Sequence, residues 1–274
     1  MDREIEKYIH FMKEKHAIDM SIYESSFLEK VIQTRMNALA IETKEDYLIF
    51  LKSRHGESAE IMHYLSNSYS EFFRNPLTFS CIEQTILPAI IHQKMIDNTK
   101  EIRIWSAACA SGQEAYSMAI IFDEMADGIK EAVDCHIFAT DINPDELDKA
   151  RRGVYQTASV NKVSLKRFKS YFTQQGEQYT VSPHLGNYID FSVFDLLSGQ
   201  YNCPPASIYG SFDLIFCTNL LFYYKPSYQQ RILQKAGKCL APGGYLITGE
   251  TEGGIAKENN YQEVFINSGI FQKR

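Results

Sequence analysis

Polar side chains recur at the ends of four apolar runs along this chain. In Trp105-Ser106-Ala107-Ala108-Cys109-Ala110-Ser111-Gly112-Gln113-Glu114, the run Glu101 to Trp105 leads into small residues and then an acidic first helical turn. Small side chains at the carboxyl end of a strand let a ligand approach the backbone, where the amides of the next helix point at it. Tight packing of a strand onto a helix asks for the same residues, and the G-x-G-x-x-G fingerprint is absent. Glu114 suits the positive end of that helix, either as a plain helix-terminus acid or as a partner for a ligand's ammonium group. Asp141 ends the run His136 to Asp141, where a carboxylate accepts hydrogen bonds from a ribose or caps the helix opening at Asn143-Pro144. It follows Gly112 by 29 residues, against about 20 in dinucleotide folds. Asp195-Leu196 after Tyr188 to Phe194, and Thr218-Asn219 after Phe212 to Cys217, complete the set. Any one of them reads as a helix cap. Four at successive strand ends point to a nucleotide-like ligand along one rim of a sheet.

A fifth group precedes them. Asn67-Ser68-Tyr69-Ser70-Glu71-Phe72-Phe73-Arg74-Asn75-Pro76 brings the hydroxyls of Ser68 and Ser70 and the guanidinium of Arg74 to a segment closed by a helix-disfavouring X-Pro. Arg74 there either closes over a ligand or holds two parts of the chain together through an ion pair.

The elements that must position these residues follow from apolar spacing. Ile5, Tyr8, Ile9 and Met12, then Phe27, Leu28, Val31 and Ile32, then Tyr47, Leu48 and Leu51, then Ile61, Met62 and Leu65 predict four short amphipathic helices. Polar and glycine breaks at Asp19-Met20-Ser21, Glu42-Thr43 and His55-Gly56 separate them. A connecting helix over 79–95 leads into alternating strand and helix patterns, the α/β texture of a doubly wound sheet. Ala241-Pro242-Gly243-Gly244 is expected to turn the chain into the strand Tyr245 to Glu250, and runs at Tyr261 to Ile266 and Ile270 to Lys273 into a closing antiparallel hairpin. Residues 155–190 break the alternation and read as a small inserted β subdomain. The domains expected are 1–78, helical with its linker, and 79–274.

Composition narrows the function. The 274 residues hold 28 Lys+Arg against 34 Asp+Glu, a net charge of −6, so there is no broad basic footprint for nucleic acid. Over residues 1–64 nine basic residues face twelve acidic ones, so any basic face is local; Lys30, Arg35, Lys44, Lys52 and Arg54 are its candidates. The chain starts charged, and no stretch approaches the roughly 18 apolar residues that cross a bilayer, so neither export nor direct membrane insertion is expected. Six scattered cysteines without a C-x-x-C pair read as reduced thiols, consistent with a cytoplasmic protein.

Taken in order, these segments resemble the CheR family of chemoreceptor glutamate methyltransferases. Asn67 to Arg74 resembles its T-N-x-T-x-F-F-R pattern, and Trp105 to Ser117 its W-S-A-x-x-S-T-G-E-E-P-Y-S pattern. Ala139-Thr140-Asp141-Ile142, followed by Ala150 to Tyr155, resembles A-[ST]-D-I and its sequel. Cys217 to Tyr224 resembles C-R-N-x-x-I-Y-F. The resemblance implies a class I S-adenosylmethionine-dependent methyltransferase sheet (Rossmann-like), an inserted antiparallel β subdomain and an all-α N-terminal domain. It implies S-adenosyl-L-methionine as cofactor, S-adenosyl-L-homocysteine as product and no metal. Carried over by position, Ser68, Ser70, Arg74, Glu114, Asp141, Asp195, Leu196, Thr218 and Asn219 line the cofactor site, while Arg74 and Tyr223 face the methyl group and the incoming carboxylate. The implied partner is the cytoplasmic helical bundle of methyl-accepting chemoreceptors. Gln113 stands where the first of two glutamates is usual, Ala115 where a proline is, and Thr218 where an arginine is. These departures keep a second reading open: a CheR-like module that binds S-adenosylmethionine or its product as a signal, with little transfer.

Overall fold

The computed structural model describes residues 3–66, 69–126, 133–207 and 209–273. The chain divides into two compact units, Met1–Asn67 with Phe222–Gln229, and Ser68–Leu221 with Gln230–Arg274.

The first unit holds the four expected helices: α1 (Arg3–His16), α2 (Ser25–Leu39), α3 (Lys44–Ser53) and α4 (Glu57–Leu65). The breaks work as their chemistry dictates. The Thr43 hydroxyl accepts the Asp46 N–H to cap α3, and Gly56, at φ +106°, opens α4. The apolar stripes meet in one core that includes Tyr8, Met12, Leu28, Ile32, Leu51 and Ile61. Arg35 is buried in this core. It donates two hydrogen bonds of 2.8 Å to Glu57, which also accepts the Tyr47 hydroxyl at 2.7 Å. Its charge is therefore committed internally, and it leaves the set of basic surface candidates.

In the second unit, α5 (Pro76–Cys81) passes through a π-helical turn (Ile82–Ile86) into α6 (Leu87–Ile96). The strands are β1 (Glu101–Ala107), β2 (Asp134–Asp141), β3 (Val154–Gln156), β4 (Phe172–Gln175), β5 (Gln178–Val181), β6 (Ile189–Val193), β7 (Phe212–Cys217), β8 (Leu240–Thr248), β9 (Tyr261–Glu263) and β10 (Ile270–Lys273). Between them run α7 (Gln113–Ala126), α8 (Pro144–Arg152), α9 (Thr157–Val160), α10 (Leu165–Tyr171), α11 (Pro226–Cys239) and α12 (Gly253–Glu258). The main sheet has the order β6-β2-β1-β7-β8-β10-β9. Pairing is parallel from β6 to β8, and β10 runs antiparallel to both β8 and β9. The chain winds outward from β1 through β2 to β6 and returns on the other side of β1 as β7. The strand ends beside β1 therefore form the crevice where ligands of open α/β sheets bind.

The inserted subdomain is a three-stranded antiparallel sheet, β3-β5-β4, that carries α9 and α10. Asp123 of α7 accepts the hydroxyls of Tyr171 and Tyr188 at 3.0 and 2.9 Å. Arg167 of α10 ion-pairs with Glu124 and Glu83 at 2.7 and 2.8 Å.

One expectation is corrected here. Ala241 to Gly244 is not a turn before a strand but an irregularity inside β8, whose register jumps between the pairs Phe212↔Leu240 and Leu214↔Tyr245. Gly244 is required by close approach, since a Cβ there would lie 2.8 Å from the Phe212 carbonyl oxygen.

Gly112, between β1 and α7, sits at φ +89°, and a Cβ on it would lie 2.9 Å from Ala150 Cβ and 3.2 Å from the Phe191 ring. Backbone strain and overlap combine at that position. Gly112→Ala is expected to lower the unfolding free energy by about 2–3 kcal/mol in urea titration. Gly176→Ala, in the open β4–β5 turn at φ +62°, should cost only about 1 kcal/mol.

Candidate functional site

The rim is built by carboxylates that collect backbone amides. After β1 the chain alternates conformations, with Ala108, Ala110 and Gly112 all at positive φ. Left-handed geometry at two alanines persists only where surrounding bonds impose it. They are present: Cys109 N donates to the Thr140 carbonyl at 2.8 Å, and Ala110 N to Asp141 Oδ2 at 2.9 Å. Tyr155 of β3 adds its hydroxyl to the Ser111 carbonyl at 2.8 Å. Asp141 also accepts Asn143 N on Oδ1 at 2.9 Å. The helix α8 has its own cap in Asn143, which accepts Asp145 N at 3.0 Å. Asp141 therefore serves the β1–α7 loop as well as the start of α8. A carboxylate has about four acceptor sites, so capacity for a ligand hydroxyl remains. Burial pushes its pKa up, against the pull of the amides from Asn143 and Ala110.

Glu114, in the first turn of α7, is strongly altered by its surroundings. Burial raises its carboxyl to about 7, although the Ser106 and Thr218 hydroxyls and the nearby Arg74 charge favour the ionised form. Ser106 donates to Oε1 at 2.6 Å and Thr218 to Oε2 at 2.5 Å. Both partners are hydroxyls, so a cation reaching this carboxylate would meet charge that burial has left poorly compensated.

Arg74 is half-buried. Its Nη1 donates to the Tyr69 carbonyl at 3.0 Å, and its guanidinium lies 5.4 Å from the centre of the Tyr69 ring. Ser70 is half-buried in the same segment. Ser68 lies outside the described residues. Asp195 is exposed and turns back on its own chain, accepting Leu197 N at 2.7 Å. It and the half-buried Leu196 follow β6, which pairs Val193 with Asp141, and Phe194 N donates to the Asp141 carbonyl at 3.0 Å. Tyr223 belongs to the helical unit, where its ring lies 4.5 Å from that of Phe27. The structure thus joins Glu114 to Thr218 directly, sets Asp141 and the Asp195 segment on neighbouring strand ends, and brings the Arg74 charge to bear on Glu114.

Asn219 is held by a residue that spacing alone misses. Glu252 is fully buried, and its carboxylate accepts four backbone amides: Gly249, Asn219 and Leu220 at 2.7 Å each, and Leu221 at 2.6 Å. Asn219 itself sits at φ +55°. Ser106, within the quoted motif but not singled out from it, is the second missed residue. Its place on the β1 end, eight residues before Glu114, was the available signal.

Residues 68–270 match the family described as CheR methyltransferase, SAM binding domain. The chain belongs to the CheR methyltransferase family. It is 29% identical over 254 residues to chemotaxis protein methyltransferase 1 of Pseudomonas aeruginosa, with 89% of each chain covered. It is 32% identical over 207 residues to chemotaxis protein methyltransferase 1 of Vibrio cholerae, covering 74% of this chain and 70% of that one. An uncharacterized 104.1 kDa protein of Rhodobacter capsulatus is 27% identical over 250 residues, and the chain spans 25% of its length. The sheet order described above is accordingly that of the class I S-adenosylmethionine-dependent methyltransferases.

The residues present fit the CheR cofactor. Asp141 keeps acceptor capacity at the end of β2 for a ribose hydroxyl, and Glu114 offers a buried carboxylate with hydroxyl partners only for the amino-acid ammonium. Among the described residues no group of three or more His, Cys, Asp or Glu is placed to hold a metal ion.

Because burial favours neutral Glu114, the stability linked to its proton is full below its ordinary value of 4.5 and is lost as pH rises through about 7. An ammonium ligand needs the ionised form and should bind in the opposite sense. S-adenosylmethionine affinity is expected to rise roughly eightfold between pH 6 and 7.5, measured by calorimetry. Glu114→Gln should flatten that dependence and weaken binding at the upper pH. A wild-type affinity that does not change over this range would contradict the assignment.

Proposed function

We propose that this protein transfers the methyl group of S-adenosylmethionine to glutamate side chains on the cytoplasmic helical bundle of chemoreceptors, as a protein-glutamate O-methyltransferase of chemotactic adaptation. The observation that carries the reading is Arg74, whose charge acts on the rim carboxylate Glu114 in a chain of the CheR family. Asp141 and Glu114 would hold the ribose and ammonium of the cofactor, with Ser68, Ser70, Asp195, Leu196, Thr218 and Asn219 around it. Bound there, S-adenosylmethionine supplies an activated methyl group on a sulfonium and departs as the neutral thioether S-adenosylhomocysteine.

The demands on the chain are modest. A glutamate with an ordinary pKa of about 4.3 is roughly 500:1 ionised at pH 7, so the nucleophile arrives ready and no base is needed. The protein has to align the carboxylate and exclude water. Arg74 supplies a charge-assisted hydrogen bond that orients the carboxylate, and Tyr223 is assigned to the same task. Too firm a grip by the guanidinium would tie up the attacking lone pairs, so one arginine suffices. The β4–β5 hairpin closes on the two residues Gly176 and Glu177, which supports docking on the receptor bundle without a peptide tether. An isolated receptor tail peptide is therefore expected to bind poorly.

A signal-binding module with little transfer is the second reading, favoured by Glu114. Burial lifts that carboxyl to about 7, near half-protonation in neutral solution, and its partner Thr218, where the family pattern has arginine, brings a hydroxyl and no charge. Transfer of labelled methyl groups to receptor-containing membranes separates the two. Release of the label as methanol by mild base marks a carboxyl ester. Base-stable label would overturn the glutamate assignment, and cofactor binding without turnover would favour the module. Asp141→Ala is expected to weaken cofactor binding by about 1–3 kcal/mol. Arg74→Ala should lower kcat more than affinity.

A further inference from the structure

The arginine segment is gripped from two sides. Glu71, Phe72, Phe73 and Arg74 run through a kink, with Phe73 at φ +52°, a conformation that a bulky residue holds only when its surroundings impose it. On one side lies α7, where the Ser117 hydroxyl accepts Phe73 N at 3.0 Å. On the other lies the inserted subdomain. Phe72 N donates to the Ser159 carbonyl of α9 at 2.9 Å, and its ring meets those of Tyr155 and Phe172 edge-on at 4.9 and 5.0 Å. Arg167 of α10 covers the Phe73 ring at 4.7 Å.

Lys162, between α9 and α10, closes this grip. Its ammonium donates to the Arg74 carbonyl oxygen at 2.6 Å and pairs with the Glu71 carboxylate, also at 2.6 Å. One side chain of the insert therefore ties together the two ends of the kinked segment. Glu71 is shielded, at 11% side-chain exposure, while the Lys162 side chain is 38% exposed, so the pair is solvated from one side only. Lysine suits the position because a single ammonium offers three donors in free directions, enough for a carbonyl and a carboxylate that do not share a plane.

We infer that Lys162 is a positioning residue for methyl transfer: it fixes the backbone of Arg74 from the inserted subdomain and thereby sets the aim of the guanidinium. This rests on the role given to Arg74 above. The contacts of Lys162 run to the Arg74 carbonyl and the Glu71 carboxylate, so its loss should act on the rate of transfer and not on cofactor affinity.

The test uses the full chain with Lys162→Met, Lys162→Arg and Arg74→Ala, and Glu71→Gln joined to Lys162→Met so that no stranded carboxylate confuses the result. Hydrogen exchange at the Phe72 and Phe73 amides, followed without cofactor, should speed up about tenfold in Lys162→Met and be restored only in part in Lys162→Arg, whose planar guanidinium meets the two acceptors less well. In receptor methylation, kcat should fall about tenfold in Lys162→Met, with and without Glu71→Gln, while the S-adenosylmethionine Kd moves less than twofold. Added to Arg74→Ala, Lys162→Met should cost less than twofold more, since both act through one group. Unchanged exchange, unchanged kcat, or Kd worsening in step with kcat would overturn the inference. An Arg74→Ala variant of normal kcat would instead overturn the role assigned to Arg74, and exchange at Phe72 and Phe73 would still report whether Lys162 holds the segment.

Discussion

Carboxylate oxygens that accept backbone N–H groups hold this rim in shape, and Glu252 is the strongest instance. Four amides converge on one fully buried side chain, three of them from the consecutive residues Asn219, Leu220 and Leu221. Burying a carboxylate is costly unless its lone pairs are filled. Filled in this way, it fixes a loop that has no regular structure of its own. Gly249 makes room for the arrangement: a Cβ there would lie 2.7 Å from Asn219 Nδ2 and 2.8 Å from Glu252 Oε2. Asp141 does the same for the loop after β1, holding Ala110, which is left-handed like Ala108 and Gly112 on either side of it. The backbone at both strand ends is set before any ligand arrives, which keeps the ordering cost of binding low.

Glu114 stands apart from these clamps. Its partners are side-chain hydroxyls, which rotate, instead of fixed amides. Asp141 and Glu252 are built into the scaffold, while Glu114 keeps a proton affinity near neutrality and remains responsive to a nearby cation. The fixed clamps therefore set the backbone of the rim, and Glu114 is the carboxylate left free to answer a ligand's charge.

The helices and strands were legible because each depends on local periodicity. Asp141 and Thr218 drew attention because they stand at the ends of apolar runs, and Glu114 because it lies in the first turn of the helix that follows one. Glu252 was not: its partners Asn219 to Leu221 lie 31 to 33 residues earlier, and nothing near it in the chain signals a carboxylate turned inward. Ala108 and Ala110 were hidden for another reason, since alanine carries no sign of the left-handed conformation that glycine or asparagine would announce. Arg35 looked like a surface cation until its partner Glu57, on a different helix, came into view. The Ala241 to Gly244 stretch misled because a proline and two glycines usually mark a turn, whereas one of these glycines serves a close approach to the neighbouring strand.

The place of the inserted subdomain follows from the same geometry. It interrupts the crossover between β2 and β6, leaving from the end of α8 and entering β6 at Ile189, which pairs with Ile137. The insert's Tyr155 reaches the Ser111 carbonyl of the β1–α7 loop, and its Ser159 and Lys162 reach the Arg74 segment. An insertion elsewhere in the sheet could have offered a docking surface, but it would not have touched both halves of the site. Because it braces the loop that would receive the cofactor and the segment that carries the arginine, strain in the insert has a short mechanical route to each. That route consists of hydrogen bonds between named groups, and it needs no movement of the central sheet.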